Sequence, residues 1–487
     1  MRNFSKNALA NYAYLLIMIT SAWFINPYLL IGLGTLQFGI WKSTQKLIEL
    51  ACGFDGGAIQ GLKWYTASNS TSNPSDNTPN YFIVARNTLL RWLPFMLFLV
   101  SLIAVYVAVI TGEIRSGSRQ AIFVAVLLTG IVSVFGLFAQ LYESITIGMG
   151  FGYKTLLIRG PWLLVSNILM GLAANSIWGL FGVAVVFSLN ILVTAIGLIR
   201  LAKINISRSL TNQIEERQEF RSYGKRILVW EFAQRYLVSW EMVLFTFCGL
   251  TEQISAYVFS TFIFQFGLAA TMQTFSAITP KISSIYSTTR HHEIYPILDR
   301  IRKITLFITV NVMLIISIFN ERLVEFWVGS DQYFGKSINI YFVVCFLQLV
   351  LLRVDSQLLE STREIRERMI SSVAILLLGS ISSFLIYFFT KSLSASLFVL
   401  FLARSLLIVY FFKLVSSRFK GAMWKPLDLL LVTVLFVVVI VVMEYLPKAF
   451  RLELLVFMIC AILSGLYFFS NILRKQYGSV EKHENGN

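Results

Sequence analysis

The sequence predicts an all-α integral membrane protein of about fourteen transmembrane helices. Three observations carry this. The 487 residues are 56 % hydrophobic and 14 % charged with a mean hydropathy of +0.71, a charge content too low for a soluble surface of this size. Apolar runs of about 20 residues follow one another along the whole chain. Lysine and arginine concentrate in alternate loops, as they do when every second loop lies in the cytoplasm.

Taken in order, the spans are expected at 10–32, 36–60, 89–111, 120–145, 153–175, 177–199, 227–249, 253–279, 303–328, 336–360, 369–390, 393–415, 427–446 and 453–472. The basic set of loops holds Arg2 and Lys6, Lys63 and Arg86, Lys154, the run from Arg200 to Arg226, Lys281 to Lys303, Arg363 to Arg368, Lys413 to Lys425, and Arg474 with Lys475. The other set holds only Arg115, Arg119, Lys336, Lys391, Lys448 and Arg451. An even span count with this alternation puts both termini in the cytoplasm. The first apolar segment is too long for a signal peptide and lacks a small-residue cleavage site, so it is expected to stay as a helix.

Two loops differ from the rest. Residues 68–80 are rich in Ser, Asn and Pro and have too little apolar surface to fold alone. Residues 205–226 mix Arg and Glu and read as a solvated helix joining two halves. The expected organisation is therefore an N-terminal six-span lobe over 1–204, a cytoplasmic linker over 205–226, a second six-span lobe over 227–417, and two extra spans with a tail over 418–487. Because six is even, a repeat of the two lobes would be parallel, about an axis along the membrane normal.

The second span is the anomalous one. At ~100° per residue, Lys42, Lys46, Glu49, Gly53, Gly56 and Gln60 fall in one stripe, opposite a face of Leu, Ile, Ala and Phe. A cationic, glycine-rich face on an intramembrane helix is expected to line a wet cavity. A plainer reading stands beside it: Lys46 neutralises Glu49 three residues on, and Lys42 reaches toward the outer surface. Asp55 lies off the stripe and is expected to cap or pair near the inner end of the span, with a coupling-ion role as the alternative; Glu143 reads in the same way.

The run NPYLLIGLGTLQFGIW followed by GFDGG resembles the Pro, Leu-Gly, Phe-Gly-aromatic, Asp-x-Gly pattern of polysaccharide flippases. These are the O-antigen (Wzx-like) flippases of the MOP superfamily, to which the MATE drug exporters also belong. Pro280 and Lys281 resemble the Pro-containing helix end of the second half. The resemblance implies two six-helix lobes in a MATE-like V that open alternately to each side, with the two C-terminal helices a departure from twelve-helix members. It also implies a substrate, an undecaprenyl-diphosphate-linked oligosaccharide moved from the cytoplasmic to the outer leaflet of a bacterial inner membrane. Polysaccharide polymerase and glycosyltransferases of the same pathway are the implied partners. No cofactor is implied beyond a proton or sodium gradient.

Other intramembrane charges are candidates for the same cavity. Arg235 follows Glu231 by four residues, a spacing for an intrahelical pair that would act as a gate, with substrate contact as the second reading. Arg353 shares a face with Gln357 and Glu360 while Asp355 points the other way. Arg404 sits near mid-span without a charged neighbour within a turn, so it must face protein or water. Arg159, near a helix end, reads as a snorkelling side chain.

Several function classes are disfavoured. The net charge of +16 is accounted for by cytoplasmic loops rather than by nucleic acid. Four scattered cysteines give neither a disulfide framework nor a metal site. His291, His292 and His483 lie in a loop and the tail, leaving no intramembrane histidine relay. No P-loop, HExxH or acidic metal cluster appears, so a transporter rather than an enzyme is expected. A MATE-like exporter of organic cations would want acids to dominate the cavity, and a membrane-embedded polymerase would want a large outer loop; both remain alternatives.

Overall fold

A computed structural model of the chain describes residues 2–69, 78–110, 116–202, 214–276, 294–360 and 366–418, together with parts of 424–467. Most of the Ser/Asn/Pro-rich loop, the first half of the 205–226 linker, Pro280 and Lys281, the three histidines, and much of the last two spans with the tail lie outside the described residues.

The described residues are almost wholly helical and contain no strand. The helices are α1 (Arg2–Cys52), α2 (Ala58–Asn69), α3 (Thr78–Ile110), α4 (Ser116–Gly148), α5 (Gly152–Ala174), α6 (Gly179–Ala202), α7 (Ile214–Phe247), α8 (Thr251–Ser260), α9 (Phe262–Ser276), α10 (Ile294–Val328), α11 (Lys336–Glu360), α12 (Arg366–Thr390) and α13 (Leu393–Arg418). Among the described residues nine helices are long and apolar enough to cross a membrane, ten if the bent pair α8–α9 counts as one span. The first of the nine, Leu9–Cys52, has 44 residues, about twice what a ~30 Å hydrocarbon layer needs. It is two spans, because Gly34 breaks it at φ 72°, ψ 169°, a backbone setting that L side chains resist. Gly249 turns the chain between α7 and α8 with the same φ of 72°. α7 covers the expected seventh span, but Glu231, Arg235 and Glu241 keep its hydropathy low.

Large apolar side chains stand on the outside of these helices: Ile31, Phe98, Leu172, Leu378, Phe389 and Val409 are all more than half exposed. Such a surface belongs in lipid. Inside the helices, hydroxyls such as those of Ser43, Thr66, Thr129, Ser188 and Thr309 donate to the carbonyl four residues back, so these donors are not left bare in an apolar medium.

The helices pack as two compact units, Met1–Ser255 with Ile365–Ser392, and Ala256–Glu364 with Leu393–Asn487. This grouping differs from the sequence division at 204 and 227, because α7 and α12 pack with the first unit. The carbonyl of Gly224 in α7 lies 2.2 Å from where a Cβ of Gly57 would be, an approach that only glycine admits. In the first unit α1 packs on α5, α3 on α4, α4 on α6, and α2 on both α3 and α4, while α7 packs on α12. In the second unit α10 packs on α11, α11 on α13, and α9 on both α10 and α11. These pairings recur six spans later in the chain, as in a parallel repeat, whereas the packing of α5 on α6 has no such counterpart.

Candidate functional site

The second span is helical only to Cys52. A turn over Gly53–Gly57 follows, and α2 starts at Ala58. Gly56 and Gly57 take φ of +75° and +69°, and Asp55 accepts from the backbone N–H of Gly57 at 2.9 Å and of Ile59 at 3.1 Å. Asp55 therefore caps α2, satisfying donors that a helix start leaves open. The stripe expected to run on to Gly56 and Gln60 stops at Gly53, since the break resets the helical register. Asp55 is buried at 6 % exposure, and its replacement by Ala is expected to cost about 1–2 kcal/mol, read as a lower unfolding midpoint in detergent.

Of the stripe residues, Lys42 Nζ donates to Asn26 Oδ1 at 3.0 Å and lies 5.3 Å from the centre of the Phe38 ring. It is tied to the first limb of α1 and does not reach toward the surface alone. Lys46 Nζ and Glu49 Oε2 form an ion pair at 2.8 Å, with side chains 29 % and 49 % exposed. This is the plainer, self-neutralised arrangement, on an accessible face.

α7 crosses this break. Arg235 Nε lies 3.9 Å from Glu231 Oε2, as the four-residue spacing on one helix face requires, with side chains 33 % and 26 % exposed. The Arg235 stem lies over Gly53, where an added Cβ would be 3.6 Å from its Cδ. Cys52, at the end of the helix, is within electrostatic range of Glu49, Asp55 and Arg235, and Asp55 within range of Arg235 and Glu231. The structure thus gathers Lys46, Glu49, Asp55, Glu231 and Arg235 around one helix break. Phe54 packs at the same place on Phe95 and Phe232, with ring centres 5.3 and 4.6 Å apart.

Glu143 stands apart from this cluster. It pairs with Arg159, joining α4 to α5, so Arg159 is a structural partner rather than a snorkelling side chain. Arg353 and Arg404 belong to the second unit. Arg353 is half-buried on α11; Arg404 is fully buried and donates to the Tyr341 hydroxyl at 3.0 Å, facing protein.

One buried charge is not visible as such in the sequence, where Arg302 falls in a basic loop. Arg302 Nη2 donates to Asp355 Oδ1 at 3.1 Å, with side chains only 6 % and 3 % exposed. The span next to Arg302 is expected from hydropathy to start at 303, but α10 starts at Ile294, which brings Arg302 from the loop into the helix. The opposed directions of Arg353 and Asp355 are legible from helical periodicity; the partner of Asp355 is not.

No protein-family model matches the sequence, and neither does any curated protein. Solved structures do match. The MATE multidrug transporter DinF-BH has a TM-score of 0.66 at 12 % identity over 87 % of this chain and 97 % of its own. The inward closed lipid II flippase MurJ has a TM-score of 0.65 at 12 % identity over 96 % of this chain and 99 % of its own. An outward-facing MATE transporter of the MOP superfamily gives 0.61 at 12 % identity over 86 % and 96 %. The chain has the MATE and MurJ fold. At these identities the likeness is one of fold.

Proposed function

We propose that the protein is a flippase that carries an undecaprenyl-diphosphate-linked oligosaccharide, a repeat unit of O-antigen or another surface polysaccharide, across the bacterial cytoplasmic membrane. Transport runs from the cytoplasmic to the outer leaflet by alternating access, coupled to a proton or sodium gradient, with both termini in the cytoplasm. The observation that supports a lipid-linked cargo over a drug is that the lipid II flippase structure covers 96 % of the chain, whereas MATE structures cover 85–87 %.

The helix break supplies the chemistry such a cargo asks for. Lys46 and Arg235 are each held by a carboxylate on their own helix and remain about a third exposed. Pairs of this kind are worth little to stability, so a diphosphate can compete with Glu49 and Glu231 for the cations.

Loss of the gene in its host is expected to raise the lipid-linked repeat unit in the cytoplasmic leaflet and to lower surface glycan. An unchanged glycan with altered resistance to cationic drugs would favour the MATE-like exporter instead. Lys46→Ala and Arg235→Ala are each expected to lower flipping about tenfold, the equivalent of ~1.4 kcal/mol and of one charge-assisted hydrogen bond. Their unfolding midpoints should stay near that of the unaltered protein. Full flipping by both variants, normally inserted, would remove these cations from the substrate path.

A further inference from the structure

The buried ion pair of the second unit continues into the residues that follow α13. Trp424, itself buried, donates from Nε1 to Asp355 Oδ1 at 3.1 Å and to Oδ2 at 3.2 Å, and the Arg302 guanidinium lies 4.8 Å from the centre of its ring. The next residue, Lys425, reaches Asp299 at 3.1 Å, and Lys303 reaches the same carboxylate at 3.5 Å. Two neighbours on α10, Arg302 and Lys303, and two after α13, Trp424 and Lys425, therefore converge on one pair of aspartates.

The described helical residues 456–465 lie against α10. Phe457 packs on Phe319 with ring centres 5.6 Å apart, Ser464 faces Asn311 at 3.4 Å, and Gly465 lies beside Phe307. Tyr467 donates to Asp428 at 2.8 Å. In lipid, apolar contact alone gives little drive for one helix to stay on another, because the acyl chains are as apolar as the side chains they replace. Polar contacts then decide the docking, and the strongest between the described part of the extension and α10–α11 are those of Trp424 and Lys425.

We propose that Trp424 and Lys425 form a latch that fastens the described part of the C-terminal extension, within 424–467, to α10 and α11. Asp355 is the shared keeper: it neutralises Arg302 in the protein interior and holds the indole N–H. Asp299 does the same for Lys303 and Lys425 at a more exposed position. The latch is independent of the cargo, and its test needs no transport.

Consider a full-length chain with Cys52, Cys248, Cys345 and Cys460 replaced by Ala, and a reporter Ser464→Cys on the extension or a control Ser356→Cys on α11; both serines are fully buried. In detergent, both reporters should react slowly with a fluorogenic maleimide. The double change Trp424→Phe with Lys425→Ala leaves the Arg302–Asp355 pair intact and is expected to speed labelling at 464 roughly tenfold while 356 stays protected. Lys425→Arg alone should keep 464 protected. Unchanged labelling at 464 in the double variant, or equal gains at 464 and 356, would overturn the latch.

Discussion

Arg302→Ala is expected to destabilise the protein by about 3–5 kcal/mol, a larger loss than removal of Lys46, Glu49, Glu231 or Arg235, whose pairs are partly exposed. The reason is the carboxylate left behind. Asp355 is 3 % exposed, and without the guanidinium only the Trp424 indole remains to balance a charge that water cannot reach. Replacing both members by apolar residues of similar volume, Arg302→Met with Asp355→Leu, should recover most of the loss, since no buried charge then stands alone. Denaturation in mixed micelles measures both. A double variant as unstable as the single one would mean that the pair matters through packing rather than through charge.

The second large effect is expected at the helix break. Gly57→Ala meets two obstacles: a φ of +69°, and the Gly224 carbonyl 2.2 Å from the new Cβ. The first costs about 1–2 kcal/mol. The second cannot be relieved by a rotamer change, because the neighbour is backbone, so α7 must move away at a further cost of about 1–3 kcal/mol. Gly249→Ala is the comparison, with a similar φ of +72° at a helix end and open space around it, and should show only the first cost. Moving α7 also carries Arg235 off Gly53, so Gly57→Ala should lower flipping beyond what its stability explains. Equal effects of the two substitutions on both readouts would show that the close approach of α7 is not needed.

Much of this architecture is written locally, and for that reason is legible. A span in lipid must satisfy its own backbone hydrogen bonds and face acyl chains, so about 20 apolar residues and the loop charges announce it without reference to the rest of the chain. The (i, i+4) pair of Glu231 and Arg235 and the (i, i+3) pair of Lys46 and Glu49 are local in the same sense, fixed by helix geometry alone. Asp55 as a cap follows from the glycines beside it. A helical wheel carried through Gly53–Gly57 fails, because the cap and two positive φ values restart the register there.

The sequence by itself determined the all-α membrane class, the order of spans, the division of Leu9–Cys52 into two spans, and the pairing of Arg235 with Glu231, while for Lys46 it left cavity lining and self-neutralisation side by side. Only the tertiary structure decided which charges meet: Arg235 over the break at Gly53, Glu143 with Arg159, Arg404 turned onto Tyr341, and Arg302 with Asp355 and Trp424. The partners in that last group lie 53 and 69 residues apart from Asp355 in the chain. Hydropathy and periodicity describe one helix at a time, whereas the pairing of buried charges is set by which helices touch and at what height, a property of packing that no single segment contains.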